Sequence, residues 1–169
     1  MIVAAICLIL TSNCLVAHPG RGGGSPPSAM EIPDSLFEQA VACIKRFEGW
    51  HGNHLPYVGW GHKLLPGETF SPDMSKAQAD SLLRTDLRKL CRMCSRFGKD
   101  ALVATLSYNV GYYRLVGYGK IPKSRLIKKL EAGDRDIYNE YVSFRCYKGK
   151  VIPSIERRRK VEYMLLFKK

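Results

Sequence analysis

A helical pattern that stops beside a glycine-rich segment is the most constraining feature of this chain. Apolar residues recur at helical spacing from position 36 to 47, and Gly49 is a natural helix stop. Residues 50–70 lose this period and contain Gly59-Trp60-Gly61-His62, which predicts short strands and turns at 57–62 and near 66–67. Glu48 therefore ends the helix on its apolar face, next to the predicted hairpin.

The rest of the chain carries mostly helical patterns. Ser35 with Glu38, and Ser75 with Gln78, have the spacing of capping boxes, which predicts a helix start at both places. The second box opens an amphipathic helix to position 94, and the nearly all-apolar segment 100–110 predicts a central, buried helix. Further helices are predicted over 124–130, 134–146 and from Pro153 onward. The expected fold class is α+β and mostly α-helical, with one small β-hairpin near the front.

The positive charge balance is consistent with simple solubility or with an anionic partner, and charge alone does not choose between them. The 169 residues suit one globular domain, and Lys and Arg number 27 against 15 Asp and Glu, a formal charge of +12. Nucleic acid, a membrane surface and an acidic wall polymer all fit such a surplus. The basic residues are spread over many segments and no nucleic-acid motif is visible, which places nucleic acid below the others.

The first 31 residues predict export. The apolar run 2–10, followed by small and apolar residues up to Ala17, is typical of a signal peptide cleaved after that residue. The run is too short for a stable membrane span, and lipidation at Cys14 has a poor sequence context. Residues 18–31 are rich in Gly, Pro and Ser and predict a linker. The folded domain is expected over 32–169 of a periplasmic or extracellular protein.

Four cysteines follow the predicted signal peptide: Cys43, Cys91, Cys94 and Cys146. They allow three disulfide pairings, among which the sequence does not choose. Cys91 and Cys94 form a C-x-x-C pattern without a second pair or a histidine at ligand spacing, and both lie on the apolar stripe of a predicted helix. Core cysteines are therefore favoured over a zinc site or a redox pair.

The position of Glu48 suits a proton donor. Burial on an apolar face and the negative end of the helix dipole both disfavour a charged carboxylate. A carboxyl group that keeps its proton can protonate a leaving oxygen, which is the role of a general acid. The alternative is a glutamate paired to an arginine beneath the core. The adjacent glycine-rich hairpin, a candidate cleft wall, favours the catalytic role.

Six motifs occur in an order that is specific when they are taken together. They are Glu48-Gly49, Gly59-x-Gly61-His62, Ser75-x-x-Gln78-Ala79, Ser107-Tyr108-Asn109-Val110-Gly111, Ser124-x-Leu126 with Gly133-Asp134, and Arg158-Arg159-x-x-Glu162. Over residues 36–167 they resemble the phage T4-type lysozymes (glycoside hydrolase family 24). The resemblance implies a lysozyme-like fold and a muramidase that hydrolyses the β-1,4 bond between N-acetylmuramic acid and N-acetylglucosamine. The expected partner is peptidoglycan, without metal or organic cofactor, and we expect a monomer.

The resemblance assigns one catalytic residue and leaves the second open. Glu48 matches the general acid of the family, but the aspartate that the family has shortly afterwards has no counterpart, because residues 50–56 contain no Asp or Glu. Tyr57 stands where the family has a threonine. An inverting glycosidase needs a base for water, with carboxyl groups about 6.5–9.5 Å apart.

Several replacements for the missing aspartate are open. His54 or His51 is a candidate base, and the Tyr57 hydroxyl is a candidate for positioning the water. Glu68 and Asp73, both in turns, are the carboxylates that a folded-back loop would bring in. A lone glutamate acting as acid and then base would instead make the chain a lytic transglycosylase. A shortened loop also suits a non-catalytic module that binds the wall.

Further residues around the hairpin are candidate substrate contacts. Trp50, Trp60 and Tyr57 suit stacking on sugar faces, with core packing as the alternative. Asn109 is predicted to contact substrate amides or to cap its helix. The residues predicted to be structural, because they hold the hairpin, are Gly59, Gly61 and His62.

Two segments are interpreted more loosely. The tyrosines of segment 112–118 line either a cleft or the core. The basic run 157–160 is interpreted as a solvated helix face, with some share in attraction to an anionic wall. A cationic protein that acts on nucleic acid or membranes is the third function considered, and it ranks below the enzyme and the wall-binding module.

Overall fold

The computed structural model describes residues 32–52, 54–70, 73–98 and 100–168, so the predicted signal peptide 1–17 and linker 18–31 lie outside the described residues. The helices are α1 (Asp34–Glu48), α2 (Lys76–Cys94), α3 (Leu102–Val110), α4 (Tyr112–Val116), α5 (Arg125–Glu131), α6 (Tyr138–Val142) and α7 (Pro153–Leu166), with a 3-10 turn at Ser95–Phe97. The strands are β1 (Tyr57–Val58), β2 (His62–Lys63), β3 (Cys146–Tyr147) and β4 (Lys150–Val151). Within these ranges no helix has the length and apolarity that a membrane crossing requires. The predicted α+β, mostly helical fold is confirmed.

The first helix ends where the sequence predicts but begins differently. Gly49 takes φ +73° as its C-cap, which a glycine adopts without steric cost. The predicted capping box of Ser35 and Glu38 is wrong, because Pro33 is the N-cap and no side chain of the described part of the chain caps the helix. The Glu38 carboxylate instead accepts two hydrogen bonds from Arg84 of α2, at 2.5 and 2.8 Å. That pair ties α1 to α2 on the surface.

The second and third helices form the centre of the domain. At α2 the predicted capping box is confirmed, since the Ser75 hydroxyl accepts from the Gln78 main chain and the Gln78 side chain accepts from Ser75. The predicted central helix is confirmed as α3, in which the segment 102–107 is fully buried. α3 packs against α1, α2, α4 and α7, which explains why most of its residues are apolar. α3 is therefore the axis around which the site residues are placed.

A small antiparallel hairpin follows α1. Tyr57 pairs with Lys63 and Val58 with His62. Gly59, at φ +57°, packs so tightly on α2 that a Cβ there would lie 2.7 Å from the Ala79 Cβ. This close approach fixes the β1–β2 hairpin between the end of α1 and the start of α2.

The C-terminal part differs from the sequence prediction over 134–146. Only Tyr138–Val142 is helical there, because the Asp134 carboxylate accepts from the main chain of Asp136 in a turn and Arg135 reaches across to Asp100. Residues 146–151 form a second hairpin, β3–β4, that the sequence analysis did not predict. The predicted helices over 124–130 and from Pro153 onward are confirmed as α5 and α7.

Candidate active site

Glu48 lies between the C-terminal end of α1 and the β1–β2 hairpin. Its side chain is 9% exposed. A Cβ on Gly61 would lie 3.4 Å from the Glu48 Cγ and 3.5 Å from its Oε2, and Gly61 has φ +93°. A residue with a side chain would therefore be strained at position 61 and would press on the carboxyl group. The hairpin glycine thus forms one wall beside Glu48.

The two oxygens of Glu48 have different surroundings. Oε1 accepts a hydrogen bond from the Asn109 Nδ2 at 3.0 Å and one from the Arg158 Nη1 at 2.7 Å. Among the described residues, no group donates to Oε2, which faces the hairpin. The carboxyl group is therefore held by one oxygen and presents the other.

The bonds at Oε1 belong to a closed ring of five side chains. Arg158 also donates from Nε to the Glu162 Oε1 at 2.7 Å, and Arg159 donates to the Glu162 Oε2. Arg159 donates as well to the Asn109 Oδ1, which returns the ring to Glu48. Because one amide atom of Asn109 accepts from a cation and the other donates to a carboxylate, its orientation is fixed. We call these five side chains the arginine ring.

The arginine ring is buried and charged. Arg158, Arg159 and Glu162 are 1%, 0% and 0% exposed, and the Tyr141 hydroxyl donates to the Glu162 Oε2 at 2.8 Å. Burial alone would raise the pKa of Glu162, but the two guanidiniums outweigh it and hold that pKa below its usual value. Burial would likewise lower the pKa of Arg158, but the Glu162 and Glu48 carboxylates raise it. Buried charges persist here because each has opposite partners in hydrogen-bonding range.

The interpretation of the basic run 157–160 as a solvated face is wrong for its two central residues. Arg157 and Lys160 are exposed, but Arg158 and Arg159 point into the core. The reason is their spacing of four and three residues from Glu162, which puts all three on one helix face. The motif Arg158-Arg159-x-x-Glu162 was the available signal, but charge composition alone argued for exposure.

His62 lies at the base of the hairpin between two carboxylates. Its Nδ1 is 2.6 Å from the Asp86 Oδ2 on α2, and its Nε2 is 3.1 Å from the Glu68 Oε2. Burial would lower the pKa of His62, but the hydrogen bonds and charges of the two carboxylates raise it. The Phe70 ring packs edge-on at 5.5 Å. His62 therefore links β2 to α2 and to the loop behind it, as a residue that holds the hairpin would.

The two candidate turn carboxylates, Glu68 and Asp73, follow the β1–β2 hairpin in the chain. Glu68 accepts from the Leu65 main chain at 2.8 Å, and this bond, against the cost of burial, lowers its pKa. With its Oε2 bound to both Leu65 and His62, Glu68 serves the hairpin loop. Asp73 lies exposed in the turn before α2.

The short loop after Glu48 is folded onto the hairpin by its main chain. His51 donates from its main chain to the Gly59 carbonyl at 2.9 Å, and Gly59 donates to the Gly52 carbonyl at 3.0 Å. Tyr57 is half-buried and its ring centroid lies 5.9 Å from that of His51. The Nε2 of His51 is buried, and no described residue forms a hydrogen bond with it. This atom of His51 is therefore shielded from bulk water.

His54 has the opposite exposure. The residue is exposed, and its Nδ1 is hydrogen-bonded to the His51 carbonyl. Because a carbonyl only accepts, Nδ1 carries the hydrogen, and in the neutral ring the lone pair is left on Nε2. Of the two candidate histidines, His54 presents a base to solvent.

The candidate sugar-binding tryptophans lie next to each other. Trp50 is 41% exposed and meets Trp60 edge-on, with ring centroids 5.1 Å apart. The Tyr108 hydroxyl donates to the Trp60 carbonyl at 3.1 Å, which attaches the hairpin to α3. Trp60 packs against the core, whereas Trp50 offers an open ring face. Contact of either ring with a sugar stays a prediction, as does contact of Asn109 with substrate.

The described cysteines form no disulfide, and Cys43 lies close enough to the arginine ring for Arg158, Arg159 and Glu162 to act on its thiol electrostatically. All four described cysteines are free thiols, with Cys43 and Cys94 buried, Cys91 half-buried and Cys146 exposed. Burial raises the pKa of Cys43 and of Cys94 to about 11. The described part of the chain has no cluster of three or more His, Cys, Asp or Glu side chains arranged to hold a metal ion.

Comparison with known families gives one match over most of the domain. The family model described as Phage lysozyme matches residues 45–162, which run from the last turn of α1 to Glu162 and include the whole arginine ring. No curated protein matches the chain.

Proposed function

Because this chain belongs to the phage lysozyme family, we propose that it is an exported muramidase with Glu48 as its general acid. Membership of this family supports a lysozyme-like, peptidoglycan-lysing activity. The finer proposal is hydrolysis of the β-1,4 bond between N-acetylmuramic acid and N-acetylglucosamine. The observation that carries it is the asymmetry of Glu48, held at Oε1 by two donors and presented at Oε2 beside the hairpin.

This asymmetry determines where a catalytic proton would sit. Asn109 and Arg158 both donate to Oε1, so the two lone pairs of that oxygen are occupied. A proton on Glu48 is therefore expected on Oε2. Oε2 is the oxygen that a leaving glycosidic oxygen would approach. The bonds at Oε1 also stabilise the carboxylate that remains after the proton has left. The fixed ring then keeps the acid in one position through the reaction.

For the second catalytic group we propose His54, with Tyr57 as a positioning residue for water. The loop 50–56 supplies no carboxylate, and Glu68 is engaged by His62. His54 is exposed, and with the hydrogen on Nδ1 the lone pair of its Nε2 can accept a proton from water. The Trp50 ring, exposed beside the loop, is proposed to stack on a sugar face.

A lytic transglycosylase is the second candidate function. The observation that favours it is that residues 50–56, the loop after Glu48, contain no Asp or Glu to serve as a second carboxylate. A lone glutamate would first protonate the leaving oxygen and then take the proton of the muramic 6-hydroxyl as that oxygen closes on the anomeric carbon. No water is consumed, and the product carries a 1,6-anhydro end. In this case His54 has no catalytic part.

Digestion of purified peptidoglycan followed by mass spectrometry tests both functions. Glu48→Gln is the central variant, because the glutamine oxygen can keep the bonds to Asn109 and Arg158 while the proton donor is lost. We expect release of muropeptides to fall about 100-fold or more. Glu131→Gln, an exposed change of the same kind on α5, is the matched control and should act as wild type.

The products and a second variant separate the candidates. Reducing ends with a loss of activity in His54→Gln support the muramidase, and 1,6-anhydro ends with an unaffected His54→Gln support the transglycosylase. If Glu48→Gln digests peptidoglycan as fast as wild type, Glu48 is not the acid. A chain that binds sacculi and releases nothing would be the non-catalytic wall-binding module.

A further inference from the structure

The β3–β4 hairpin projects from the domain without contributing to its core. Cys146 and all four residues from Lys148 to Val151 are exposed, and Val151 is 49% exposed although it is apolar. The strands pair only over Cys146 with Val151 and Tyr147 with Lys150. A hairpin of this kind adds little to stability, so its presence calls for another explanation.

The charge on this hairpin is entirely positive. Residues 141–155 contain no Asp or Glu. Arg145, at its base, is paired with Glu156 at 3.1 Å. Among the described residues, neither Lys148 nor Lys150 has an ion-pair partner. The tip of the hairpin therefore presents two uncompensated cations to solvent.

The turn at the tip has an unusual residue. Lys148 and Gly149 have φ +48° and +76°, as a two-residue hairpin turn of this hand requires. Asn, Asp or Gly is the usual first residue of such a turn, and a lysine at positive φ is uncommon. The Lys148 ammonium lies 5.5 Å from the centroid of the Tyr147 ring, which faces it. Local backbone preference does not account for a lysine here, and its charge offers a reason.

The hairpin is attached to the arginine ring at its base. The Arg159 Nε donates to the Phe144 carbonyl at 3.1 Å, and the same guanidinium donates to Asn109, which holds Glu48. Ile152 donates from its main chain to the Arg145 carbonyl at 3.0 Å and closes the base of the hairpin. One arginine thus positions both the catalytic carboxyl and the root of the basic projection.

We propose that the β3–β4 hairpin binds the carboxylates of the peptide stems that peptidoglycan carries, while Glu48 acts on the glycan. This inference rests on the proposed function, since it concerns the same polymer. The occupant follows from charge complementarity: stem peptides carry carboxylates next to the sugar chain, and the tip of this hairpin carries two lysines without ion-pair partners among the described residues, on a base that Arg159 of the arginine ring holds. The glycan backbone offers hydroxyls and amides, which would not call for cations.

A binding assay with matched variants tests the proposal without turnover. The full chain carrying Glu48→Gln is sedimented with purified sacculi, either native or with their carboxylates converted to neutral methylamides. Lys148→Asn with Lys150→Gln removes both tip cations, and asparagine suits the left-handed turn. Lys120→Gln with Lys128→Gln removes the same charge from two other exposed lysines and is the control. Circular dichroism confirms that each variant is folded.

We expect the hairpin variant to bind native sacculi roughly 2- to 10-fold more weakly than its parent, and the control variant to bind within about two-fold of it. On amidated sacculi, parent and hairpin variant should bind alike. An equal loss in the control, a hairpin effect that survives amidation, or a parent that does not bind sacculi overturns the proposal. Because the readout is binding, a failure here is distinct from a failure of catalysis, which product release by the wild type reports.

Discussion

Replacing Glu162 by glutamine should destabilise this protein strongly. The Glu162 carboxylate is 0% exposed and accepts from Arg158, Arg159 and Tyr141. Glutamine keeps the volume but removes the charge, which leaves two buried guanidiniums with too little compensation. Removing one partner of a buried ion pair costs about 3–5 kcal/mol. This is a large share of the roughly 5–15 kcal/mol that stabilises a typical domain.

The expected loss can be converted into a melting temperature. For a domain of this size, 1 kcal/mol corresponds to about 3 °C, so Glu162→Gln should melt roughly 10–15 °C below wild type. Circular dichroism at 222 nm with a thermal ramp, repeated with urea, measures it. Glu38→Gln is the control, because Glu38 is exposed and its bond with Arg84 is a surface pair. Its melting point should stay close to that of wild type.

The pH dependence of the melting temperature independently tests whether the Glu162 carboxylate stabilises the fold. The folded-state pKa of Glu162 is lowered, because its two arginines outweigh the effect of burial. A carboxylate with a lowered pKa contributes stability that is present above its unfolded pKa, near 4.5, and is lost as the pH falls through the folded-state value. The difference between wild type and Glu162→Gln should therefore narrow in acid. If Glu162→Gln melts like Glu38→Gln at pH 7, the buried ring does not stabilise the fold as argued.

Two further predictions concern the β1–β2 hairpin. Burial lowers the pKa of His62, but the Asp86 and Glu68 carboxylates raise it more, so the stability that His62 contributes is present below about pH 6.5 and is lost as the pH rises through its folded-state pKa. The free energy of unfolding in urea should therefore fall between pH 5.5 and pH 9 by more in wild type than in His62→Gln, and an equal fall in both proteins would contradict this. Gly59→Ala should lower the free energy of unfolding in urea far more than Gly67→Ala does. Both glycines have positive φ, but only a Cβ at position 59 would meet the Ala79 Cβ, at 2.7 Å. Equal losses of unfolding free energy in the two variants would show that Gly59 does not pack closely on α2.

Much of the fold was predictable because its signals are local. The Ser75 and Gln78 capping box, the Gly49 stop and the nearly all-apolar α3 each depend on residues within a turn or two of one another. The failed capping box at 35–38 and the shortened helix over 134–146 have a different cause. In both, a charged side chain bonds to a distant element, Glu38 to Arg84 and Arg135 to Asp100. Such long-range competition leaves no mark in local spacing.

The candidate site likewise combines features that local sequence patterns predict with contacts that depend on distant residues. Glu48 and its hairpin are recognisable in the sequence, because an acid on an apolar helix face followed by closely spaced glycines is a local pattern. The partners of Glu48 lie 61 and 110 residues away in the chain. No periodicity relates them, and a run of four basic residues by composition belongs on a surface. Only the packing of α3 and α7 against α1 buries Arg158 and Arg159, two of these four basic residues.

The sequence by itself therefore indicated Glu48 as the candidate acid, and the family motifs indicated the lysozyme-like fold that carries it. The tertiary structure decided how that acid is held, by one oxygen in a closed ring of charges, and that Glu68 serves His62. The physical reason is that a charge enters a core only when opposite partners from several elements meet it there. Those partners are brought together by folding, and their meeting cannot be deduced from any one segment.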